Sequence, residues 1–179
     1  LGERLDAQTP RPEHDSGSLR LVNLMRLLRE EGAHVVFLPA DRHRVEPYTT
    51  RLQHLGVEAW HAPFVDGIPA WLREHGPRFD AAMVSRHYVA DGFLPLLRAH
   101  APRAKLIFDT VDLHYLRERR GAEVAGDAAL ARAAERTRAL ELAVIAQSDV
   151  TLVVSGIERE LLLRDAPQAH VELLSNLHR

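Results

Sequence analysis

Polar and ionisable side chains follow the short apolar runs of this chain, where they could bind a ligand. The clearest case is the segment 9–20, which carries His14, Asp15, Ser16 and Gly17 directly ahead of an amphipathic stretch. The first turn of a helix has free backbone N–H groups and the positive end of the helix dipole. This loop is therefore suited to a phosphate, a carboxylate or a sugar hydroxyl, and its four residues are candidate substrate-binding groups.

Two later loops carry similar chemistry. Arg86 and His87 follow an apolar run at 81–84, and we assign them to substrate binding, although a surface loop pair would look the same. Four more candidate residues follow the apolar run at 106–108. Asp109, Asp112 and His114 are candidate catalytic groups, and Arg117, about one helical turn later, is a candidate substrate-binding residue.

The elements that would position these loops alternate along the chain. We expect strands at 3–6, 35–38, 57–61, 81–84, 106–108, 150–154 and 171–174. We expect helices from 19 to about 30, and at 45–55, 68–74, 91–100, 130–144 and 157–164. Continuous apolar strands joined by helices are typical of an α/β fold, here an open Rossmann-like parallel sheet with helices on both faces. Because such sheets bind ligands beyond the carboxyl ends of their strands, the polar loops should meet at one edge.

Each of these positions also has a purely structural explanation. Small polar residues before a helix commonly cap it, as Asp15, Ser16 or Ser18 would do here. Asp109 could cap the helix that follows it. Asp112 and Arg117 could form an exposed ion pair worth less than about 1 kcal/mol.

Composition limits the function classes. With 46% apolar and 27% charged residues, the 179-residue chain is typical of one globular domain, and its net charge of −2 gives no basic surface for nucleic acid. The absence of cysteine excludes disulfides and thiolate zinc sites. Asp112 and His114 could suggest a metal, but no His-x-x-x-His pairing accompanies them, so we expect no metal. No stretch is apolar for long enough to span a bilayer.

The usual signatures of nucleotide enzymes and hydrolases are missing. The sequence has no Gly-x-Gly-x-x-Gly, no Gly-Lys-Ser/Thr loop and no Gly-x-Ser-x-Gly elbow. Two alternatives remain open on the residues alone. One is a nucleotide-binding enzyme domain of another class, such as an epimerase or methyltransferase; the other is a non-catalytic carbohydrate-binding or scaffold module.

Three loop sequences, taken together, carry a family resemblance. They are Thr9-Pro-Arg-Pro-Glu-His-Asp-Ser-Gly-Ser, Ser85-Arg86-His87 and Asp109-Thr-Val-Asp-Leu-His-Tyr-Leu-Arg-Glu118. They resemble the amino-terminal domain of a group 1 glycosyltransferase, the retaining family 4 with two Rossmann-like domains in the GT-B arrangement. The likeness is closest to bacterial members of surface-polysaccharide biosynthesis. The ending Val171-Glu-Leu-Leu-Ser-Asn176 is similar to the strand that leads into the second domain of that family.

The resemblance implies that residues 1–179 are a single acceptor-side domain of a hexosyl-type transferase. The donor would be a nucleotide-diphosphate sugar, the acceptor a glycan or lipid-linked molecule, and no cofactor or metal would be needed. Gly17 would lie near the donor phosphates or the transferred sugar, and Asp109, Asp112 and His114 beside the reacting sugar. The donor-gripping domain, with its Glu-x7-Glu motif, is expected to be absent from this chain, which alone would then be inactive. The implied location is cytoplasmic, with peripheral association of the complete protein at the inner membrane face left open.

Overall fold

A computed structural model describes residues 2–6 and 8–175 of the chain. Seven parallel strands form one sheet in the order β3-β2-β1-β4-β5-β6-β7. The strands are β1 (Gly2–Asp6), β2 (Val35–Pro39), β3 (Glu58–Ala59), β4 (Ala81–Ser85), β5 (Lys105–Asp109), β6 (Val150–Val153) and β7 (Val171–Leu173). The predicted parallel α/β sheet is confirmed. Asn176, which closes the last quoted motif, lies outside the described residues.

Seven α-helices connect the strands. They are α1 (Ser16–Glu30), α2 (Tyr48–His54), α3 (Ile68–His75), α4 (His87–His100), α5 (His114–Ala125), α6 (Ala128–Gln147) and α7 (Gly156–Asp165), with a 3-10 turn at Gly76–Arg78. Two helix predictions were wrong. Helix α4 begins at His87 instead of 91, because Val89 and Ala90 already pack into the core. The separate helix α5 was missed, because it is rich in charged residues that hide its short buried stripe.

The helices cover both faces of the sheet, as predicted. Strand β2 illustrates this, since successive side chains of a strand point to opposite faces. Phe37 packs with Met25 of α1 and Leu52 of α2 in one core cluster. Leu38 belongs to a second cluster, which includes Leu94 of α4 on the opposite face.

The strand order reverses next to β1. The chain runs outward from β1 to β3 on one side, and then builds β4 to β7 on the other. The connections that leave β1 and β4 therefore diverge and open a crevice at the carboxyl edge of the sheet, where ligands bind in folds of this kind.

A buried ion pair fixes α1 to this edge. Arg20 Nη1 donates to both carboxylate oxygens of Asp109 at 2.7 Å, and its Nη2 donates to the Leu174 carbonyl at 3.1 Å. The side chains of Arg20 and Asp109 are 1% and 0% exposed. Ser85 Oγ, at the end of β4, lies 3.3 Å from Asp109 Oδ2. Asp109 is thus the last residue of β5 and joins several elements, instead of capping the following helix.

Replacing Asp109 by Asn should lower the free energy of unfolding by about 3–5 kcal/mol, because it leaves the buried charge of Arg20 uncompensated. Asp112→Asn is the matched control, since it removes the same charge from a half-exposed ion pair with Arg117 and should cost less than about 1 kcal/mol. Urea denaturation of the three proteins measures both values. Equal stability of the two variants would show that the buried pair does not support the fold.

Candidate functional site

The loops after β1, β4 and β5 converge around Gly17. A Cβ placed on Gly17 would lie 3.0 Å from Val111 Cγ1, 3.2 Å from Asp15 Oδ1 and 3.9 Å from a guanidinium nitrogen of Arg86. The structure therefore brings together Gly17 and Arg86, two residues that the sequence assigned to the site. A glycine here allows the close approach of the Val111 side chain, because a Cβ at 3.0 Å from Val111 Cγ1 would require that side chain to shift.

Two residues of these loops have a strained backbone. Arg86 has φ of 70° and Val111 has φ of 66°. A positive φ is a rare conformation for any residue with a side chain, and for a β-branched valine it is an outlier. Such strain costs on the order of 1–3 kcal/mol per residue and concentrates at functional sites. The Arg86 N–H donates to the Asp109 carbonyl at 3.0 Å, which helps to hold the loop in place.

A polar cavity of about 420 Å³ opens beside the start of α1. Its lining residues are Gln8, Thr9, Arg11, Asp15, Ser18, Arg86 and Tyr88. The two arginines would attract an anion, while the carboxylate and the hydroxyls suit sugar hydroxyls. The cavity can therefore hold a small polar ligand at the edge where the sequence predicted one.

The candidate residues of the first loop make different contacts. Asp15 caps α1, accepting hydrogen bonds from Ser18 N and Ser18 Oγ, both at 2.7 Å. Partial burial raises the pKa of Asp15, but the bonds from Ser18 and the charge of Arg86 outweigh it, and the pKa is lowered. Ser16 is the first, exposed residue of α1. His14 is exposed and lies edge-on to Tyr48 of α2, with ring centroids 6.3 Å apart, and so faces that helix.

Asp112 links the third loop to α5. It forms the exposed ion pair with Arg117 that the structural alternative expected. Its backbone carbonyl and Oδ1 also lie 3.1 Å and 3.3 Å from His114 Nδ1. Asp112 thus orients the buried imidazole of His114 while it pairs with Arg117. The exposed ion pair and a role in the candidate site are therefore compatible.

His114 belongs to a buried cluster with His87 and Glu141. The Nδ1 atoms of His87 and His114 each lie 3.6 Å from Glu141 Oε1, and the two rings meet edge to face, 4.9 Å apart. Burial lowers the pKa of His114, but its interactions with Glu141 and Asp112 outweigh burial and raise it. Burial lowers the pKa of His87. The same cluster therefore favours a proton on one ring and disfavours it on the other.

Glu141 is the member of this buried cluster that the sequence interpretation missed, as it missed Arg11 and Tyr88 among the residues that line the cavity. It is 0% exposed, and it accepts hydrogen bonds from His114 N at 3.1 Å and Tyr115 N at 2.9 Å, which caps α5. Glu141 and His114 are 27 positions apart in the sequence, so no local motif contains both. One signal was available, because Glu141 is a charged residue on the apolar stripe that contains Ala134 and Val144.

A polar network holds α5 in place. Tyr115 Oη donates to Asp165 Oδ2 of α7 at 2.9 Å, and Arg138 of α6 pairs with the same carboxylate at 3.0 Å. Burial and the bond to Asp165 raise the pKa of Tyr115. The hydrogen bond from Arg138 lowers the pKa of Asp165. Since Tyr115 is adjacent to His114, this network positions the start of α5 and hence the buried cluster.

The fold is similar to that of a solved structure, Phytolacca americana UGT2 complexed with UDP-2fluoro-glucose and pterostilbene. The TM-score is 0.65 at 14% sequence identity, and the likeness covers 100% of this chain and 54% of that one. This chain therefore spans about half the length of UGT2, and its fold matches one Rossmann-like half of a GT-B glycosyltransferase. No protein-family model and no curated protein sequence matches the chain.

Within residues 2–6 and 8–175, none of the helices is both long and apolar enough to cross a membrane.

Replacing Asp165 by Asn should lower the free energy of unfolding by about 1–2 kcal/mol at neutral pH, because it weakens hydrogen bonds to a charged group. Folding lowers the pKa of Asp165, so its stabilising effect is complete above the ordinary value of about 3.9 and is lost as pH falls through the folded value. The difference between wild type and variant should therefore shrink below about pH 4. Denaturation curves over this range measure it, and a constant difference would contradict the assignment.

Proposed function

We propose that this chain is the acceptor-side domain of a glycosyltransferase that moves a sugar from a nucleotide-diphosphate sugar to a glycan or lipid-linked acceptor. The observation that carries the proposal is the convergence of the strained loops at Arg86 and Val111 around Gly17. Arg86 also lines the polar cavity, which lies at the crevice of a fold similar to half of a GT-B enzyme. The three loop sequences quoted above support the finer assignment, a retaining enzyme of bacterial surface-polysaccharide assembly. UGT2, whose structure holds a UDP sugar analogue, supports a nucleotide-sugar donor.

The donor would approach the first turn of α1. Departure of a nucleoside diphosphate builds negative charge on its oxygens, which helix N–H groups and arginines stabilise. Gly17 lies in this first turn, and Arg11 and Arg86 line the adjacent cavity. These groups would act by positioning and electrostatics, without a covalent intermediate on the protein.

The buried cluster of His87, His114 and Glu141 would supply a hydrogen-bond donor to the reacting groups. The contacts with Glu141 and Asp112 raise the pKa of His114, which makes its protonated form easier to populate, and that form donates hydrogen bonds instead of accepting a proton. This suits contact with a sugar hydroxyl or a leaving phosphate oxygen. A mechanism in which the departing phosphate deprotonates the acceptor then needs no base from the protein.

Asp109 receives a different role in the proposal. Its carboxylate is fully buried and held by Arg20, so it would orient the edge of the sheet instead of touching the sugar. Asp112 and Arg117 would orient His114 in a similar way, through the contact to Nδ1.

The chain by itself should bind nucleotide sugars weakly, because most donor contacts would lie in a second domain. Calorimetry with uridine, guanosine and thymidine diphosphate sugars should give dissociation constants weaker than about 10 micromolar, which corresponds to roughly 7 kcal/mol. Tighter binding would mean that the donor site is complete within these residues.

Replacing His114 or Asp112 by Ala in the full-length enzyme should lower turnover roughly a hundredfold, the scale of losing a positioned polar group near a transition state. His34→Ala is the matched control. His34 pairs with Glu58 at 2.6 Å and lies just before β2, at the amino end of the sheet, so turnover should not change. A donor screen followed by steady-state kinetics measures the effect. Unchanged turnover in His114→Ala would refute the assignment, and glycan binding without any transfer would favour the carbohydrate-binding module.

A further inference from the structure

We propose that His87, His114 and Glu141 form a binding site for a zinc-class divalent metal ion. The side chains come from the starts of α4 and α5 and from the middle of α6. One ligand atom from each residue can be chosen so that all three lie within 4.8 Å of one another. The proposal goes beyond glycosyl transfer and does not depend on it.

The spacing of the ligand atoms is close to that of a tetrahedral site. Metal–ligand bonds of about 2.0–2.2 Å place neighbouring ligand atoms roughly 3.4 Å apart. The Nδ1 atoms of His87 and His114 both lie 3.6 Å from Glu141 Oε1. The two imidazole nitrogens are within 4.8 Å of each other, so binding one ion requires a small contraction of the cluster. It also requires His114 Nδ1 to exchange its contact with the Asp112 carbonyl, at 3.1 Å, for the ion.

The His87 imidazole has a buried atom that needs a partner. Its Nδ1 makes no hydrogen bond to any described residue, although the side chain is only 12% exposed. A buried polar atom without a partner costs free energy and is rare in folded proteins. A metal ion at this position would satisfy it, which distinguishes this cluster from an ordinary packed histidine pair.

Hydrogen bonds fix the orientation of the Glu141 carboxylate, as is common for a metal ligand. Backbone N–H groups of His114 and Tyr115 each bind one of its oxygens. Each carboxylate oxygen can accept a second interaction, and ligands oriented by such outer contacts are typical of metal sites. Asp112, whose Oδ1 lies 3.3 Å from His114 Nδ1, is within reach as a fourth ligand, or that position would be left to water.

The donor set selects the class of metal. Two imidazoles and one carboxylate suit Zn²⁺ and its late first-row neighbours, whereas Mg²⁺ and Ca²⁺ prefer oxygen ligands alone. The expectation of no metal rested on the spacing of residues along the sequence. Here the three ligands come from three helices, and such a site leaves no linear motif.

The test is metal binding by the chain after treatment with a chelator. Titration calorimetry with Zn²⁺ should show one ion per chain with a dissociation constant on the order of micromolar or tighter. Co²⁺ in its place should give the intense visible absorption of a tetrahedral site. Absence of Zn²⁺ binding would overturn the proposal, and it would leave the proposed glycosyl transfer untouched because no sugar is involved.

Two ligand variants and one control locate the site. His87→Gln and Glu141→Gln should each weaken Zn²⁺ binding by about tenfold or more. Since Glu141 also caps α5, His87→Gln decides the outcome if the other variant does not fold. His34→Gln, which removes a surface histidine paired with Glu58, should bind as tightly as wild type. Unchanged binding in His87→Gln, or an equal loss in His34→Gln, would assign the ion to other histidines among the 11 in the chain and overturn the proposal.

Discussion

The buried pair of Arg20 and Asp109 is the constraint on which the carboxyl edge of the sheet depends. Two charges removed from water are tolerated only when they are paired with good geometry. Here the guanidinium of α1 meets a carboxylate at the end of β5 and a carbonyl just after β7. The pair therefore sets the position of α1 relative to β5 and to the chain just after β7, and this also positions Gly17 in the first turn of α1.

The sheet could be predicted from sequence because burial on both faces makes its strands continuously apolar. Strands β2, β4, β5 and β6 appear within a residue or two of their predicted bounds. The bounds of helices were less predictable wherever polar or charged residues occupy partly buried turns. The first turn of α4 looks like a polar loop, since it begins with His87 and Tyr88, and α5 carries few apolar residues.

The candidate site could be predicted in part, because the predicted strands indicate where the ligand-binding loops begin. Strand ends point to loops, so Gly17, Arg86 and His114 could be assigned to one edge from the pattern alone. The partners of those residues could not. Arg20 reaches Asp109 across 89 positions and Glu141 reaches His114 across 27. Contacts between elements are set by packing, and a single sequence carries no local record of them.

The cap that Glu141 provides has a consequence for folding. Helix α5 is short and buries few residues, so it should be unstable in isolation. Its first N–H groups are satisfied by a carboxylate in α6. The two helices should therefore form and open as one cooperative unit. Each opening would expose all three side chains of the buried cluster to water together, so protection of the Tyr115 amide from hydrogen exchange would report how intact the cluster is.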